Sequence, residues 1–212
     1  MKIAVIAGGE WDAAWGKGQL QEVDFLVCAD SGGDAALAAG RLPDLLIGDL
    51  DSISEAGLNE IRCSGVKIEQ YPQAKDETDL ELALAQAIAK ARAAGEQDIF
   101  LYAASGGRID HFLGNVALML KSASQGLRLI LKDPQHKAWV LHGRQHMQGA
   151  KGKEISLIAL TEKAIVSTEG LSYPLRAETL WQSSPRGISN VFLGEEAIVD
   201  VSEGYVLVVL LA

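Results

Sequence analysis

The chain has 212 residues, of which 48% are hydrophobic and 22% charged, and its formal net charge is −9. These proportions allow one large packed domain or two small ones. The acidic balance, without a block rich in lysine and arginine, argues against a protein that mainly grips a nucleic-acid backbone. No run of 18 apolar residues and no basic segment leading into an apolar one occurs. We therefore expect neither a membrane span nor a signal peptide, and a cytoplasmic location.

Strand-like and helix-like segments alternate from residue 1 to residue 133. The predicted strands are Lys2–Ala7, Asp24–Ala29, Asp44–Ile47, Val66–Gln70, Ile99–Ala104 and Arg128–Lys132. The predicted helices are Gly33–Ala39, Glu55–Cys63, Asp79–Ala94 and His111–Ser124. Such alternation predicts an α/β domain with a Rossmann-like, mostly parallel sheet flanked by helices.

The segment Asp79–Ala94 has the clearest helical pattern. Its apolar residues recur at helical spacing, at Leu80, Leu84, Ile88 and Ala91. Thr78 and Glu81 have the spacing of a capping box, and Gly95 is a plausible end of the helix. Asp79 then lies in the first turn, where the helix dipole helps to keep its carboxylate ionised.

The pattern changes after Asp133 and Pro134, where short alternating segments separated by turn formers begin. These segments are Ala138–Leu141, Glu154–Leu160, Ala164–Thr168, Thr179–Gln182, Asn190–Leu193, Ala197–Val201 and Tyr205–Leu211. This pattern predicts a small antiparallel β-sandwich or barrel. We therefore place an α/β domain at residues 1–133 and an all-β domain at residues 134–212. The two cysteines, Cys28 and Cys63, predict no disulfide framework.

Polar residues follow five of the predicted parallel strands. These loops are Gly8-Gly9, Asp30–Gly33, Gly48–Ser52, Lys75–Asp79 and Ser105–His111. The carboxyl ends of parallel strands share one edge of the sheet, and ligands of open α/β sheets bind there. We therefore expect the five loops to converge on one site.

The acidic residues of these loops suggest a cation site. Asp49 and Asp51 are separated by one residue, so in an extended segment both carboxylates face the same way and can hold one cation. Magnesium prefers such hard oxygen ligands and bridges to phosphates. Asp30 and Asp79 can complete the cluster. The alternative is that these aspartates only form turns, and the convergence of the other loops favours the metal site.

The last of the five loops has the composition of a phosphate site. Gly106 and Gly107 let backbone amides approach an anion at a helix N-terminus, and Arg108 can clamp phosphate oxygens. His111 and Asn115 share one face of the following helix. The positions of this helix that suit the core are Leu113, Val116 and Leu120. The alternatives are a surface role for Arg108 and a helix-capping role for Asp110.

In the β-rich half, Ser189 and Asn190 lie in a polar turn before a strand and can hydrogen-bond a heterocycle. The nearby Trp181 offers a stacking surface, although a tryptophan is more often part of a core.

Several motifs, in this order along the chain, resemble those of thiamine pyrophosphokinases. They are Asp30–Gly33, Gly48–Ser52, Asp76–Asp79, Gly107–His111 with Asn115, and Ser189-Asn190. The resemblance covers nearly the whole chain and implies transfer of pyrophosphate from ATP to the hydroxyl of thiamine, giving thiamine diphosphate and AMP. It also implies a homodimer in which thiamine lies between the α/β domain of one subunit and the β domain of its partner.

The resemblance also implies roles for individual residues. The catalytic positions correspond to Asp30, Asp49, Asp51 and Asp79, of which the last three are the predicted Mg²⁺ ligands. The predicted nucleotide site comprises Gly106, Gly107, Arg108, Asp110, His111 and Asn115. The predicted thiamine site comprises Thr78, Trp181, Ser189 and Asn190. One departure is Ser31, where many relatives have glycine. Either Asp79 or Asp51 is expected to accept the proton of the thiamine hydroxyl.

Three other hypotheses remain open at this point. A pyrophosphokinase that acts on a pterin alcohol would keep the acidic and arginine loops but change the acceptor pocket. A regulatory module would bind the nucleotide or thiamine without turnover. The third hypothesis is a structural α/β protein without a ligand, and five polar loops at one sheet edge argue against it.

Overall fold

The structure is a computed structural model that describes residues 1–211. It divides into two compact units, each described separately below. The first comprises Met1–Leu118 and Gly126–Pro134, and the second comprises Met119–Gln125 and the chain from Gln135 onward. The predicted domain boundary after residue 133 stays a prediction. No helix within residues 1–211 combines the length and apolar character needed to cross a membrane.

The first unit is an α/β sheet. Its strands are β1 (Ile3–Ile6), β2 (Phe25–Ala29), β3 (Leu45–Gly48), β4 (Lys67–Gln70), β5 (Asp98–Tyr102) and β6 (Arg128–Lys132). The helices that start in it are α1 (Ala13–Leu20), α2 (Gly32–Ala38), α3 (Glu55–Cys63), α4 (Asp79–Ala94) and α5 (Ile109–Ala123). The strand order is β4-β3-β2-β1-β5-β6, and every neighbouring pair is parallel. The predicted α/β fold class is confirmed.

The direction of strand addition reverses between β1 and β5. The chain adds β2, β3 and β4 on one side of β1 and β5 and β6 on the other. Every residue of β1 and of β3 is buried, as expected for parallel strands covered on both faces. A reversal of this kind opens a crevice at the carboxyl ends of the strands, which is the edge where the polar loops were predicted.

Helix α4 begins and ends where its caps predict. Thr78 has extended backbone angles and its hydroxyl accepts from the amide of Glu81 at 3.2 Å, while Gly95 closes the helix in a left-handed conformation. The buried positions of the helix are Leu80, Ala83, Leu84, Ala87 and Ala91. Ile88, predicted to face the core, is only half-buried.

Helix α1 was not predicted. Two of its eight residues are glycines, which lowers helix propensity. Gly16 is required by packing, because a Cβ there would lie 2.0 Å from the ring of Trp11. Asp12 caps the helix by accepting from the amide of Trp15 at 2.9 Å. The indoles of Trp11 and Trp15 pack edge-on against Tyr102, with ring centroids about 6 Å apart.

The second unit is antiparallel, as predicted. Its strands are β7 (His136–Gln148), β8 (Glu154–Ala159), β9 (Lys163–Glu169), β10 (Glu178–Trp181), β11 (Asn190–Val191) and β12 (Glu196–Leu211). Strand β12 pairs with β7, β8 and β9, while β10 extends β9 and β11 extends β8. Buried and open residues alternate along β8 and β9, so one face of each strand forms the core.

Strands β7 and β12 are longer than predicted. The segments Ala197–Val201 and Tyr205–Leu211 form the single strand β12, whose register shifts between Val201 and Val206. Gly204, with a φ of 77°, lies at this irregularity, so the glycine signals a bulge and not a turn. The first half of β12 pairs with the polar second half of β7, which hydrophobic alternation alone does not identify.

The fold predicts different reactivities for the two cysteines. Cys28 lies buried in β2, where burial raises the pKa of its thiol, whereas Cys63 is exposed at the end of α3. We expect one thiol to react quickly with a disulfide reagent in the native protein and the second only as the protein unfolds. Cys63→Ser should abolish the fast reaction. Two fast thiols in the native protein would contradict the placement of β2.

Candidate active site

Three aspartates from three different loops meet at the carboxyl edge of the sheet in the first unit. Asp30 directly follows β2, Asp49 directly follows β3, and Asp79 is the first residue of α4. Each offers one carboxylate oxygen, and these oxygens all lie within 4.8 Å of one another. Such a set of hard oxygen donors can hold a divalent cation. The predicted convergence of these acidic loops is confirmed.

Asp30 attaches the loop after β3 to the end of β2. Its side chain is buried, and Oδ1 accepts from the amide of Ile53 at 2.9 Å and from that of Ser52 at 3.3 Å. Its φ of 47° is unusual for a residue with a side chain. Burial raises the pKa of Asp30, the hydrogen bonds from Ser52 and Ile53 lower it, and the contact with Asp49 raises it again, with a net increase.

Asp49 and Asp79 share the ammonium group of Lys75. The Nζ atom lies 3.4 Å from Asp49 Oδ2 and 3.1 Å from Asp79 Oδ1, and it donates to the carbonyl of Pro72 at 3.2 Å. Burial opposes ionisation of Asp49. The amide of Asp51 and the Lys75 ammonium outweigh that effect and lower the pKa of Asp49. Burial also opposes the charged form of Lys75 and so lowers the pKa of that residue. The carboxylates of Asp79 and Asp49 outweigh this effect and raise the pKa overall. The lysine was not among the predicted site residues.

Asp51 does not belong to this group of carboxylates. The prediction assumed an extended loop, but Leu50, between the two aspartates, has a φ of 67°. Asp51 is exposed and accepts from the side-chain amide of Gln73 at 2.8 Å. The argument from extended geometry is therefore wrong, while the role of Asp51 as a metal ligand stays a prediction.

Gly48 allows the acidic residues to approach. Its φ of 150° is rare for residues with a side chain. A Cβ atom there would lie 3.2 Å from Asp79 Cγ and 3.3 Å from Asp30 Cβ. The loop therefore needs a glycine for its backbone conformation and for the space beside the carboxylates.

The glycine-arginine loop after β5 contains two glycines with left-handed backbone angles. Gly106 and Gly107 have φ angles of 82° and 64°, and a Cβ at Gly106 would lie 2.7 Å from the carboxylate carbon of Glu10. The exposed Arg108 donates to both carboxylate oxygens of Asp110, at 3.1 and 2.6 Å. These hydrogen bonds lower the pKa of Asp110 to about 2.

The residues predicted on α5 divide into two groups. Asn115 donates to the carbonyl of Ala104 at 2.9 Å and so ties the helix to the segment after β5. His111 is exposed and accessible to a ligand. Leu113, predicted to be core, is 61% exposed, so that prediction is wrong, whereas Val116 is buried. Helical spacing gives the relative orientation of side chains but not which face the protein covers.

The residues predicted to bind the acceptor in the second unit have different environments. Trp181 is 48% exposed, so the core interpretation is wrong. The buried side chain of Asn190 accepts from the amides of Tyr173 and Val191 and donates to the carbonyl of Tyr173 at 2.7 Å. It therefore ties the start of β11 to the segment around Tyr173. Ser189 is exposed with a φ of 55°, and its amide donates to the hydroxyl of Ser156 at 3.0 Å.

Two family models match the chain. Residues 17–131 match the model described as thiamin pyrophosphokinase, catalytic domain, and residues 141–206 match the thiamin pyrophosphokinase vitamin B1 binding domain. Thiamine pyrophosphokinase of Bacillus subtilis (strain 168) is 30% identical over 98% of this chain and 97% of its own length. The chain belongs to the thiamine pyrophosphokinase family. This membership assigns it thiamine diphosphokinase activity.

Solved structures of the family share the fold. The crystal structure of thiamine pyrophosphokinase from Bacillus subtilis is 27% identical, with a TM-score of 0.88, over 100% of this chain and 99% of that one. The structure from Geobacillus thermodenitrificans is 26% identical, with a TM-score of 0.83, over 100% of this chain and 98% of that one. The Candida albicans enzyme, at 16% identity, has a TM-score of 0.83 over 98% of this chain and 89% of that one. The last likeness shows the fold alone.

Two residues that support the acidic loop were missed from the sequence. Asp34 accepts from the amide and the hydroxyl of Ser54 at 2.7 and 2.6 Å, and so fixes the end of the loop to α2. Lys75 precedes Asp79 by four residues, and this spacing next to the acidic motif was the available signal. Asp34 gave no comparable signal, because its partner is 20 residues away in the chain.

The contacts of Gly48 lead to a prediction about this family member. Gly48→Ala should lose about 1–3 kcal/mol of stability, because the backbone is strained and Cβ pushes on two aspartates. It should also lose most of its activity, because Asp30 and Asp79 move apart. Urea unfolding and an assay of thiamine diphosphate formation measure the two effects.

Gly65→Ala is the matched control, since Gly65 also has a positive φ, of 74°, and a Cβ there meets no described atom within 4 Å. It should lose about 1 kcal/mol of stability and keep its activity. Full activity of Gly48→Ala would contradict the role given to the glycine.

Proposed function

We propose that the protein is a Mg²⁺-dependent enzyme that transfers pyrophosphate from ATP to the hydroxyl of thiamine, with its metal at Asp30, Asp49 and Asp79. The observation that carries this proposal is the approach of the three carboxylates to within 4.8 Å at the carboxyl edge of the sheet, in a member of this family. Ligands of open parallel sheets bind at that edge.

The donor set suits magnesium. All three groups are carboxylates, the hard oxygen ligands that Mg²⁺ prefers. Against the effect of burial, the amide of Asp51 and the Lys75 ammonium lower the pKa of Asp49 and so favour its ionised form. The two amide donors on Oδ1 of Asp30 fix the orientation of its carboxylate. When bound, the ion would supply positive charge that offsets the charge of the triphosphate. The exposed Asp51 lies two residues from Asp49, and its role as a further ligand stays a prediction.

The reaction is a displacement at phosphorus. The hydroxyl oxygen of thiamine forms a bond to the β-phosphorus of ATP, the bond from that phosphorus to the α,β-bridging oxygen breaks, and AMP leaves. The hydroxyl proton passes to a carboxylate, for which Asp79 and Asp51 are the candidates. Phosphoryl-type transfer requires mainly positioning and charge stabilisation from the protein. Fixed carboxylates on anchored loops provide such positioning.

The remaining predicted site residues belong to this proposal. Phosphate oxygens can be bound by the backbone amides of Gly106 and Gly107 and by the guanidinium group of Arg108. In this proposal, Arg108 gives up one of its two hydrogen bonds to Asp110 when it binds the nucleotide. The exposed Ser189 and Trp181 are suited to thiamine. A homodimer and a cytoplasmic location stay predictions. If the protein is a homodimer, sedimentation equilibrium should give twice the mass of one chain.

The activity itself is the first test. AMP should form from ATP only when both thiamine and Mg²⁺ are present, and hydroxymethyl-dihydropterin should not replace thiamine. Binding of ATP and thiamine without AMP formation would support the regulatory module instead. AMP formation with the pterin and not with thiamine would contradict the proposed acceptor.

Substitutions test the metal site. Asp49→Asn and Asp79→Asn should each lower kcat/KM by about 100-fold or more, since a lost ligand removes charge stabilisation worth several kcal/mol. Higher Mg²⁺ concentrations should restore part of the loss. Asp51→Asn should lose less, because its carboxylate lies outside the group.

Asp98→Asn provides the control for these variants. Asp98 begins β5 at the opposite end of the strand, where it pairs with Arg128 at 2.6 Å on a partly exposed surface. Loss of such a pair changes stability by about 1 kcal/mol or less and should leave the Mg²⁺ dependence unchanged. Unchanged Mg²⁺ dependence in Asp49→Asn and Asp79→Asn would refute the proposed metal site.

A further inference from the structure

Lys75 occupies the position of a cation among the proposed metal ligands. Its side chain is only 11% exposed, and its Nζ lies 3.1 Å from Asp79 Oδ1 and 3.4 Å from Asp49 Oδ2. The carbonyl of Pro72, 3.2 Å away, is its third oxygen neighbour. A largely covered ammonium group with carboxylate and carbonyl oxygens around it resembles a cation in an oxygen-lined site.

The electrostatic situation explains why a positive charge is needed there. The three carboxylate groups have oxygens within 4.8 Å of one another and repel strongly. Without a counter-charge, the loops that carry them would separate, or one of the carboxylates would take up a proton. Lys75 neutralises part of this charge. It lies four residues before Asp79, the first residue of α4.

One contact of Lys75 is an ion pair without hydrogen-bond alignment. Asp79 Oδ1 is buried and receives no aligned hydrogen bond among the described residues, although the ammonium lies 3.1 Å away. The contact of this oxygen with Lys75 is therefore mainly electrostatic, as the contact with a metal ion would be. A flexible four-carbon stem lets the lysine ammonium move away without a change in the backbone.

We propose that Lys75 is a positioning residue that holds Asp49 and Asp79 together before the metal binds and releases them when the metal enters. This inference rests on the proposed function, because it assumes that these two carboxylates are metal ligands. Lys75 and the divalent cation then compete for the same oxygens. The lysine makes the metal-free site stable but weakens metal binding to the free protein.

The test is metal binding to the free protein, without nucleotide. Mn²⁺ replaces Mg²⁺ as the probe, because free and bound Mn²⁺ are distinguished by electron paramagnetic resonance. Lys75→Met should bind Mn²⁺ roughly fivefold more tightly than the wild type or better, since a positive charge beside the ion has been removed. In EDTA its melting temperature should fall below that of the wild type, and Mn²⁺ should raise it by more than in the wild type.

Two further variants define the comparison. Lys67→Met removes the same charge from β4, where Lys67 is 70% exposed and pairs with Glu69, and it should leave Mn²⁺ affinity unchanged. Lys75→Gln removes the charge but keeps a polar side chain, and it serves if Lys75→Met does not fold. Equal or weaker Mn²⁺ binding in both Lys75 variants would overturn the inference. It would also be overturned if neither variant bound Mn²⁺ detectably.

Asp49→Asn separates this inference from the function on which it rests. If Asp49→Asn binds Mn²⁺ as the wild type does and keeps its Mg²⁺ dependence in the AMP assay, the proposed metal site is wrong. If Asp49→Asn loses Mn²⁺ and the Lys75 variants bind it as the wild type does, the metal site stands and only the role of Lys75 is wrong.

Discussion

The repulsion between three carboxylates is the constraint around which the first unit is organised at its carboxyl edge. Asp30, Asp49 and Asp79 come from different loops, and nothing in the local sequence holds them together. Three features oppose their repulsion: the amide hydrogen bonds to Asp30, the start of α4 at Asp79 and the ammonium group of Lys75. The amide hydrogen bonds act on Asp30, the helix start acts on Asp79, and Lys75 acts on Asp49 and Asp79 together. The cluster is therefore stabilised by several interactions and does not depend on one of them.

The parallel sheet makes this arrangement possible. Strands β2 and β3 are neighbours, which places Asp30 beside the loop that carries Asp49, and the buried strands give both loops a rigid base. Side-chain hydrogen bonds then fix the loop that follows β3. Asp30 and Asp34 accept from the amides of Ser52, Ile53 and Ser54, so these backbone donors of the irregular loop are satisfied. A loop with these bonds can keep charged groups in place without burying them fully.

Much of the fold was predicted from the sequence, because its signals are local. The caps Thr78 and Gly95 define α4, and the loop motifs after the strands identified the site edge. The missed features depend on contacts distant in the chain or on single backbone angles. Helix α1 relies on the packing of Gly16 against Trp11, and the left-handed φ of Leu50 turns Asp51 out of the group. Residue type alone does not reveal such an angle in leucine.

The contrast between Asp30 and Asp49 shows what the position in the fold adds to the residue type. Both are aspartates of the same cluster, yet burial raises the pKa of Asp30, whereas for Asp49 the amide of Asp51 and the Lys75 ammonium outweigh burial and lower it. Asp30 spends one oxygen on the backbone of the loop, and Asp49 faces a positive charge. Asp30 therefore fixes the loop in addition to its proposed role as a metal ligand, whereas Asp49 is suited mainly to hold a cation. This division of roles requires both residues, because a loop that was not fixed by Asp30 would not bring Asp49 to Asp79.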